Sequence, residues 1–176
     1  LLSRKDRMIK EKTAEFHFTP ENPIRWTAES PYLYTILIHA YNEVIPVRVG
    51  LRTVSISTDG EFMINGVPVK LKGVNRHDTN SDTGHYTPLR TILKELLLMK
   101  QHNINCIRTS HYPNPPAFLR MCDELGLYVI DETDLETHGT VLGGHEYGKD
   151  QSLMFTENPE WRNAFIDRIE RMYERD

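Results

Sequence analysis

The sequence predicts a mixed fold: β-structure over residues 1–55, then a parallel α/β arrangement over residues 56–176. Three observations predict it. β-Branched and aromatic residues crowd residues 32–41 and return over 45–49, the composition of a pleated hairpin. Downstream, the apolar period changes from two to 3.6. Three apolar runs, 69–77, 104–111 and 127–132, each end in a polar cluster, and helical patterns lie between and after them. That alternation is the signature of parallel strands joined by helices, with functional groups gathered at the carboxyl edge of the sheet.

Each element follows from local chemistry. Pro20, Pro23 and Pro31 punctuate an irregular opening stretch. Asn42-Glu43 is a short polar turn between two strands, and the absence of any amphipathic helix suggests the last strands of a β-sandwich. Thr58-Asp59-Gly60 and Asn65-Gly66 flank Phe62-Met63-Ile64. Asn-Gly between apolar runs is a hairpin signal, here introducing a strand over 69–74. Thr87 can cap a helix with Pro88 at its first position. Leu89, Ile92, Leu93, Leu96 and Leu97 then form one apolar stripe. A second helix opens at Asn114-Pro115-Pro116, carries Phe118, Cys122 and Leu125, and stops at Gly126. A third starts at Asn158-Pro159 and sets Trp161, Phe165, Ile169 and Met172 on one face, read as core.

Bulk composition narrows the function. A chain of 176 residues, 39% hydrophobic and 26% charged, with formal net charge −4 and no long single-sign run, gives no reason to expect nucleic acid. No window approaches the roughly 20 apolar residues of a membrane span, so a membrane partner is not expected either. Cys106 and Cys122 fall in an apolar strand and on an apolar helix face, as buried, reduced thiols do. The chain opens at Leu1 without an initiator Met and stops at Asp176, inside or just after a helical pattern, which reads as a piece of something longer.

The polar clusters carry the chemistry. His77 follows Asn75-Arg76, and His111 follows Arg108-Thr109-Ser110. A lone histidine past a strand is usually a loop residue, but two at equivalent places on successive parallel strands converge on one crevice. Imidazoles there suit hydrogen bonding to hydroxyl-rich ligands and stabilising charge in a transition state. Glu136 and His138 stand two apart, and in an extended segment both side chains point the same way, where one cation can meet them. Two ligands do not define a metal site, and surface polarity is the competing reading. Asp131 and Glu132 are neighbours in an extended segment and face opposite ways, so with Asp134 they form no convincing pair for a retaining glycosidase.

These residues together resemble glycoside hydrolase family 2, and within it the β-galactosidases. The carriers are Gly50-Leu51-Arg52, Asn65-Gly66-Val67-Pro68, Gly73-Val74-Asn75-Arg76-His77, Arg108-Thr109-Ser110-His111-Tyr112-Pro113-Asn114, and Asp131-Glu132 followed by Glu136-Thr137-His138-Gly139. Asp78 and Thr133-Asp134 differ from the Glu and Ala-Asn common in that family. The resemblance implies an immunoglobulin-like β-sandwich ending within residues 1–55, and the first three β/α units of a TIM barrel over 56–176. It implies that His77 and His111 contact the galactosyl unit and stabilise its transition state, with Arg108 and Asn75 also at the substrate. It implies that Glu136 and His138 are protein ligands of an active-site Mg²⁺, whose third is the acid/base glutamate, with Na⁺ admitted through residues outside this chain. Both catalytic glutamates are expected downstream of Asp176.

The expected function is therefore that of a fragment of a retaining β-galactosidase, acting on β-galactosides such as lactose. The intact protein is expected to be a cytoplasmic homo-oligomer, and this chain alone to be inactive. A non-catalytic carbohydrate-binding module and a β-glucuronidase of the same family are the alternatives. An Asn-Glu ending the next strand separates enzyme from module, and relative rates on galactoside and glucuronide separate the two enzymes.

Overall fold

Tyr34–Ala40 and Glu43–Val49 form strands β1 and β2, paired antiparallel from Tyr34 opposite Val49 to Ala40 opposite Glu43. The computed structural model describes residues 4–5, 15–137, 155–156 and 158–176. The turn is at Tyr41-Asn42, with Tyr41 at φ 53°, one residue earlier than the sequence suggests. Among the described residues this sheet has two strands. Ile36, Leu37, Ile38, Val44, Ile45 and Val47 are all exposed, so alternation has built a hairpin whose apolar side chains find no packed second layer among the described residues.

Val54–Ile56 (β3), Phe62–Ile64 (β4) and Val67–Pro68 (β5) make an antiparallel meander. Asn65 and Gly66 turn it at φ 53° and 79°, the conformation for which Asn-Gly is favoured. The single strand expected over 69–74 is divided. Pairing with β4 ends at Pro68, and the parallel strand β6 is Gly73–Arg76.

From β6 the chain alternates. Helix α1 (Leu89–Gln101), β7 (Cys106–Thr109), α2 (Pro116–Leu125) and β8 (Tyr128–Ile130) follow. A 3₁₀ turn, Pro159–Trp161, then leads into α3 (Arg162–Arg175). Strands β6, β7 and β8 form a parallel sheet in that order. Ile92 and Leu96 of α1, Ile107 of β7, Phe118 and Cys122 of α2, and Leu127 form its core. Both cysteines are buried and free. Burial pushes the Cys122 thiol up to about 12, with Asp123 adding to it.

The helix ends correct three details. Pro88, not Thr87, is the N-cap of α1, and the Thr87 hydroxyl is buried without a hydrogen-bond partner among the described residues. Leu89, Leu93 and Leu97 of the expected stripe remain exposed, since only the Ile92–Leu96 edge meets the sheet. Trp161, just before α3, and Ile169 within it are exposed, and none of the helix's residues is fully buried. Gly126 ends α2 at φ 75°, and Asn158 Oδ1 accepts the Glu160 N–H at 3.0 Å, both as the sequence suggests.

Residues upstream of the hairpin pack under the sheet. Trp26 is 1% exposed. Its indole N–H donates to the Asp123 carbonyl at 2.8 Å, and its ring meets Tyr128 edge-on at 5.6 Å. Lys100 Nζ bridges the carbonyls of Ala28 (3.0 Å) and Gly126 (2.9 Å). These contacts close the amino-terminal edge of the sheet, opposite the polar clusters. No helix among the described residues is long and apolar enough to cross a membrane.

Candidate active site

Parallel pairing sets the geometry. Asn75 and Arg108 are register partners, as are Arg76 and Thr109. Successive residues of a strand point to opposite faces, so the two pairs lie on different sides. Ile107, of the same parity as Thr109, is buried against the helices. Asn75, Arg108 and Ile130 therefore end the other face, the one that lines the interior when such a sheet closes.

The candidate residues meet on that face. The rings of His77 and His111 stand edge to face, 5.4 Å between centroids and 80° between planes. Arg108 Nη2 donates to Glu132 Oε1 at 2.7 Å, and Nη1 makes longer contacts to Asn75 Oδ1 (3.5 Å) and Ser110 Oγ (3.4 Å). His111 Nδ1 lies 3.1 Å from the same Glu132 oxygen and 3.5 Å from Glu136 Oε2. Asn75, His77, Arg108, His111 and Glu136 thus form one cluster. His138 lies outside the described residues. The peptide bond joining Ser110 to His111 is cis.

The acidic run after β8 divides by face. Glu132 turns to Arg108, and its Oε2, buried, has no hydrogen-bond partner among the described residues. Asp131 turns away. Thr109 Oγ1 donates to Asp131 Oδ1 at 2.9 Å and accepts the Glu132 N–H at 2.9 Å. Burial, then a hydrogen bond shared with Asp176, pushes the Asp131 carboxyl up. Asp134 bonds Arg168 of α3. The run is therefore spread over three environments and offers no matched pair of carboxylates.

For a cation, Glu136 supplies an anionic oxygen of the kind Mg²⁺ takes, and the unpartnered Glu132 oxygen adds negative charge close by. Among the described residues no group of three or more His, Cys, Asp or Glu side chains is gathered to hold an ion. Glu136 is therefore the one expected Mg²⁺ ligand that the described residues include, since His138 lies outside them.

Tyr112 and Arg76 are site neighbours that the sequence did not single out, and Glu132, weighed only as one of a carboxylate pair, joins them as the partner of Arg108. Tyr112 places its ring 6.2 Å from His77 and its hydroxyl on the Asp78 N–H. Strand parity is the signal that could have found Glu132, since it shares the parity of Ile130, the partner of Arg108.

The profile "Glycosyl hydrolases family 2, TIM barrel domain" matches residues 54–176. The chain belongs to glycosyl hydrolase family 2. Its family 2 relatives include a β-galactosidase of Priestia megaterium, 43% identical over 173 residues, which span 94% of this chain and 16% of that protein. A β-galactosidase of Streptococcus thermophilus is 46% identical over 158 residues, 86% of this chain and 15% of the relative. Among solved structures, the β-D-glucuronidase of Dictyoglomus thermophilum superposes with a TM-score of 0.59 at 31% identity, over 64% of this chain and 20% of that one. The chain thus spans about a sixth of the length of the β-galactosidases it matches.

Proposed function

We propose that this family 2 chain is the start of the catalytic barrel of a retaining β-galactosidase, preceded by the end of an immunoglobulin-like sandwich to which the β1–β2 hairpin belongs. The observation that carries the reading is the convergence of His77, His111 and Arg108 on one strand edge, within a sequence more than 40% identical to β-galactosidases. In this reading the two imidazoles and Asn75 hydrogen-bond the hydroxyls of the terminal galactosyl unit. Charge develops on the sugar ring in an oxocarbenium-like transition state, and donors already fixed in place stabilise it without reorganisation. Arg108, tied to Glu132, holds a positive charge beside the reacting centre. Glutamates outside this chain donate the proton to the glycosidic oxygen and attack the anomeric carbon, and water then releases the sugar with retention.

Glu136, with His138, would hold Mg²⁺, which supplies positive charge that tunes the proton-donating carboxyl. The chain alone lacks the carboxylates that break the bond, so it is inactive by itself.

A β-glucuronidase is the second reading, favoured by the likeness to the Dictyoglomus thermophilum β-D-glucuronidase. The deciding experiment compares release of nitrophenol from aryl β-galactoside and β-glucuronide by the intact protein and by this chain. The reading expects the intact protein to prefer the galactoside and the chain to release nothing. A faster glucuronide overturns the substrate. Turnover by the purified chain overturns the assignment of the bond-breaking carboxylates to the rest of the protein.

A further inference from the structure

Arg76 ends β6 one residue before His77, on the helix side of the sheet, and does not face the cluster. It is 5% exposed. Its guanidinium spreads over three elements: Nε donates to Glu95 Oε2 of α1 at 3.0 Å, Nη1 to Asn114 Oδ1 at 2.5 Å, and Nη2 to Asp78 Oδ1 at 2.9 Å. The cation also sits 5.0 Å over the Phe118 ring of α2. A planar fork with five donors can hold three acceptors in fixed directions, whereas an ammonium offers one point of charge.

The three acceptors matter for where they lie in the chain. Asp78 directly follows His77. Asn114 closes the loop that carries His111, and its side-chain amide donates to the Tyr112 carbonyl at 3.3 Å. The Tyr112 hydroxyl in turn accepts the Asp78 N–H at 3.0 Å, and the Arg76 carbonyl accepts the Ser110 N–H at 3.0 Å. Each imidazole is thus flanked on both sides by residues tied to Arg76 or to the opposite loop. Asp78 commits its carboxylate to this network.

We propose that Arg76 is a positioning residue for both imidazoles, and that the Tyr112 hydroxyl fastens the His77 loop to the His111 loop. One buried guanidinium sets the edge-to-face separation of the two rings and hence the spacing of two sugar-contacting groups. The inference rests on the reading of His77 and His111 as sugar contacts.

A double-mutant cycle in the intact protein tests it, because Tyr112→Phe deletes one oxygen and keeps the ring. On the aryl β-glycoside that the wild type hydrolyses fastest, Tyr112→Phe should lower kcat about tenfold with KM changed less than about threefold, since a misplaced group costs most in the transition state. In a background that lacks both imidazoles, His77→Ala with His111→Ala, the same substitution should cost less than about twofold, because interacting residues are not additive. Arg76→Lys should lower kcat by about a hundredfold in protein that still folds. Equal costs of Tyr112→Phe in both backgrounds would show a purely structural role and overturn the proposal, as would wild-type kcat in folded Arg76→Lys. If the preferred glycoside proves to be a glucuronide, the β-galactosidase reading fails while the same cycle, run on that substrate, still decides the positioning role.

Discussion

His77 and His111 leave different strands and meet edge to face, with 5.4 Å between their rings. Parallel neighbours bring their carboxyl ends to one place, so two residues far apart in sequence become one binding element. If both rings contact the sugar as its charge develops, removing either takes away a fixed donor. His77→Ala and His111→Ala in the intact protein should each lower kcat on an aryl β-galactoside by about a hundredfold, the cost of losing one preorganised donor. The double variant should lose much less than the product of the two, as residues acting as a unit do. Steady-state kinetics check both.

Chelation offers a second check. Treating the intact protein with EDTA should lower its rate, and added Mg²⁺ should restore it. Glu136→Gln keeps the shape but removes the charge that a hard cation prefers. The variant should need at least about tenfold more Mg²⁺ for half-maximal rate, the scale on which even outer-shell partners act. A Mg²⁺ titration of wild type and variant would show it, and unchanged demand would remove Glu136 from the ligand set.

The thiols make a third prediction. The thiolate is the form that alkylates, and burial pushes Cys122 up to about 12 and raises Cys106. At pH 8 iodoacetamide should label neither in the native protein and both in guanidinium, as read by mass spectrometry. The sign is fixed by the direction of the shift: raising the pH toward 12 creates thiolate at Cys122, and lowering it protects the thiol further.

The lower edge of the sheet gives a fourth. Trp26→Ala removes a fully buried indole and its hydrogen bond to Asp123, and should cost about 3–5 kcal/mol in denaturant unfolding of the intact protein. Gly126→Ala should also destabilise. A Cβ there would stand 2.3 Å from the Ala28 carbonyl oxygen, and φ is +75°. The left-handed conformation alone costs about 1–2 kcal/mol for a side chain, before the backbone moves to relieve the contact.

The parallel half of the fold was legible where its elements are specified locally. Asn65-Gly66 dictates its turn, Gly126 its helix end, and the three apolar runs their strands. The meeting of His77 and His111 at one sheet edge was legible for the same reason, since each follows a parallel strand. What escaped was set by contacts distant in sequence. Leu89, Leu93 and Leu97 have the spacing of a buried stripe, but spacing cannot say whether a partner covers every residue of it. Asn114 looks like a helix cap, yet its amide is drawn to Arg76, thirty-eight residues earlier. Glu132 was weighed only as one of a carboxylate pair, because its partner Arg108 belongs to another β/α unit.

Trp26 has a practical bearing on how this protein is divided. Composition puts the change of structural type near residue 55, and the family profile begins at residue 54. A cut at either place would strip the sheet's lower edge of the indole, of the Ala28 carbonyl that holds Lys100, and of the backbone that receives the Asn65 amide. Anyone expressing the barrel without its upstream neighbour should start the gene fragment before Ile24, carrying the hairpin along as the cost of keeping that plug.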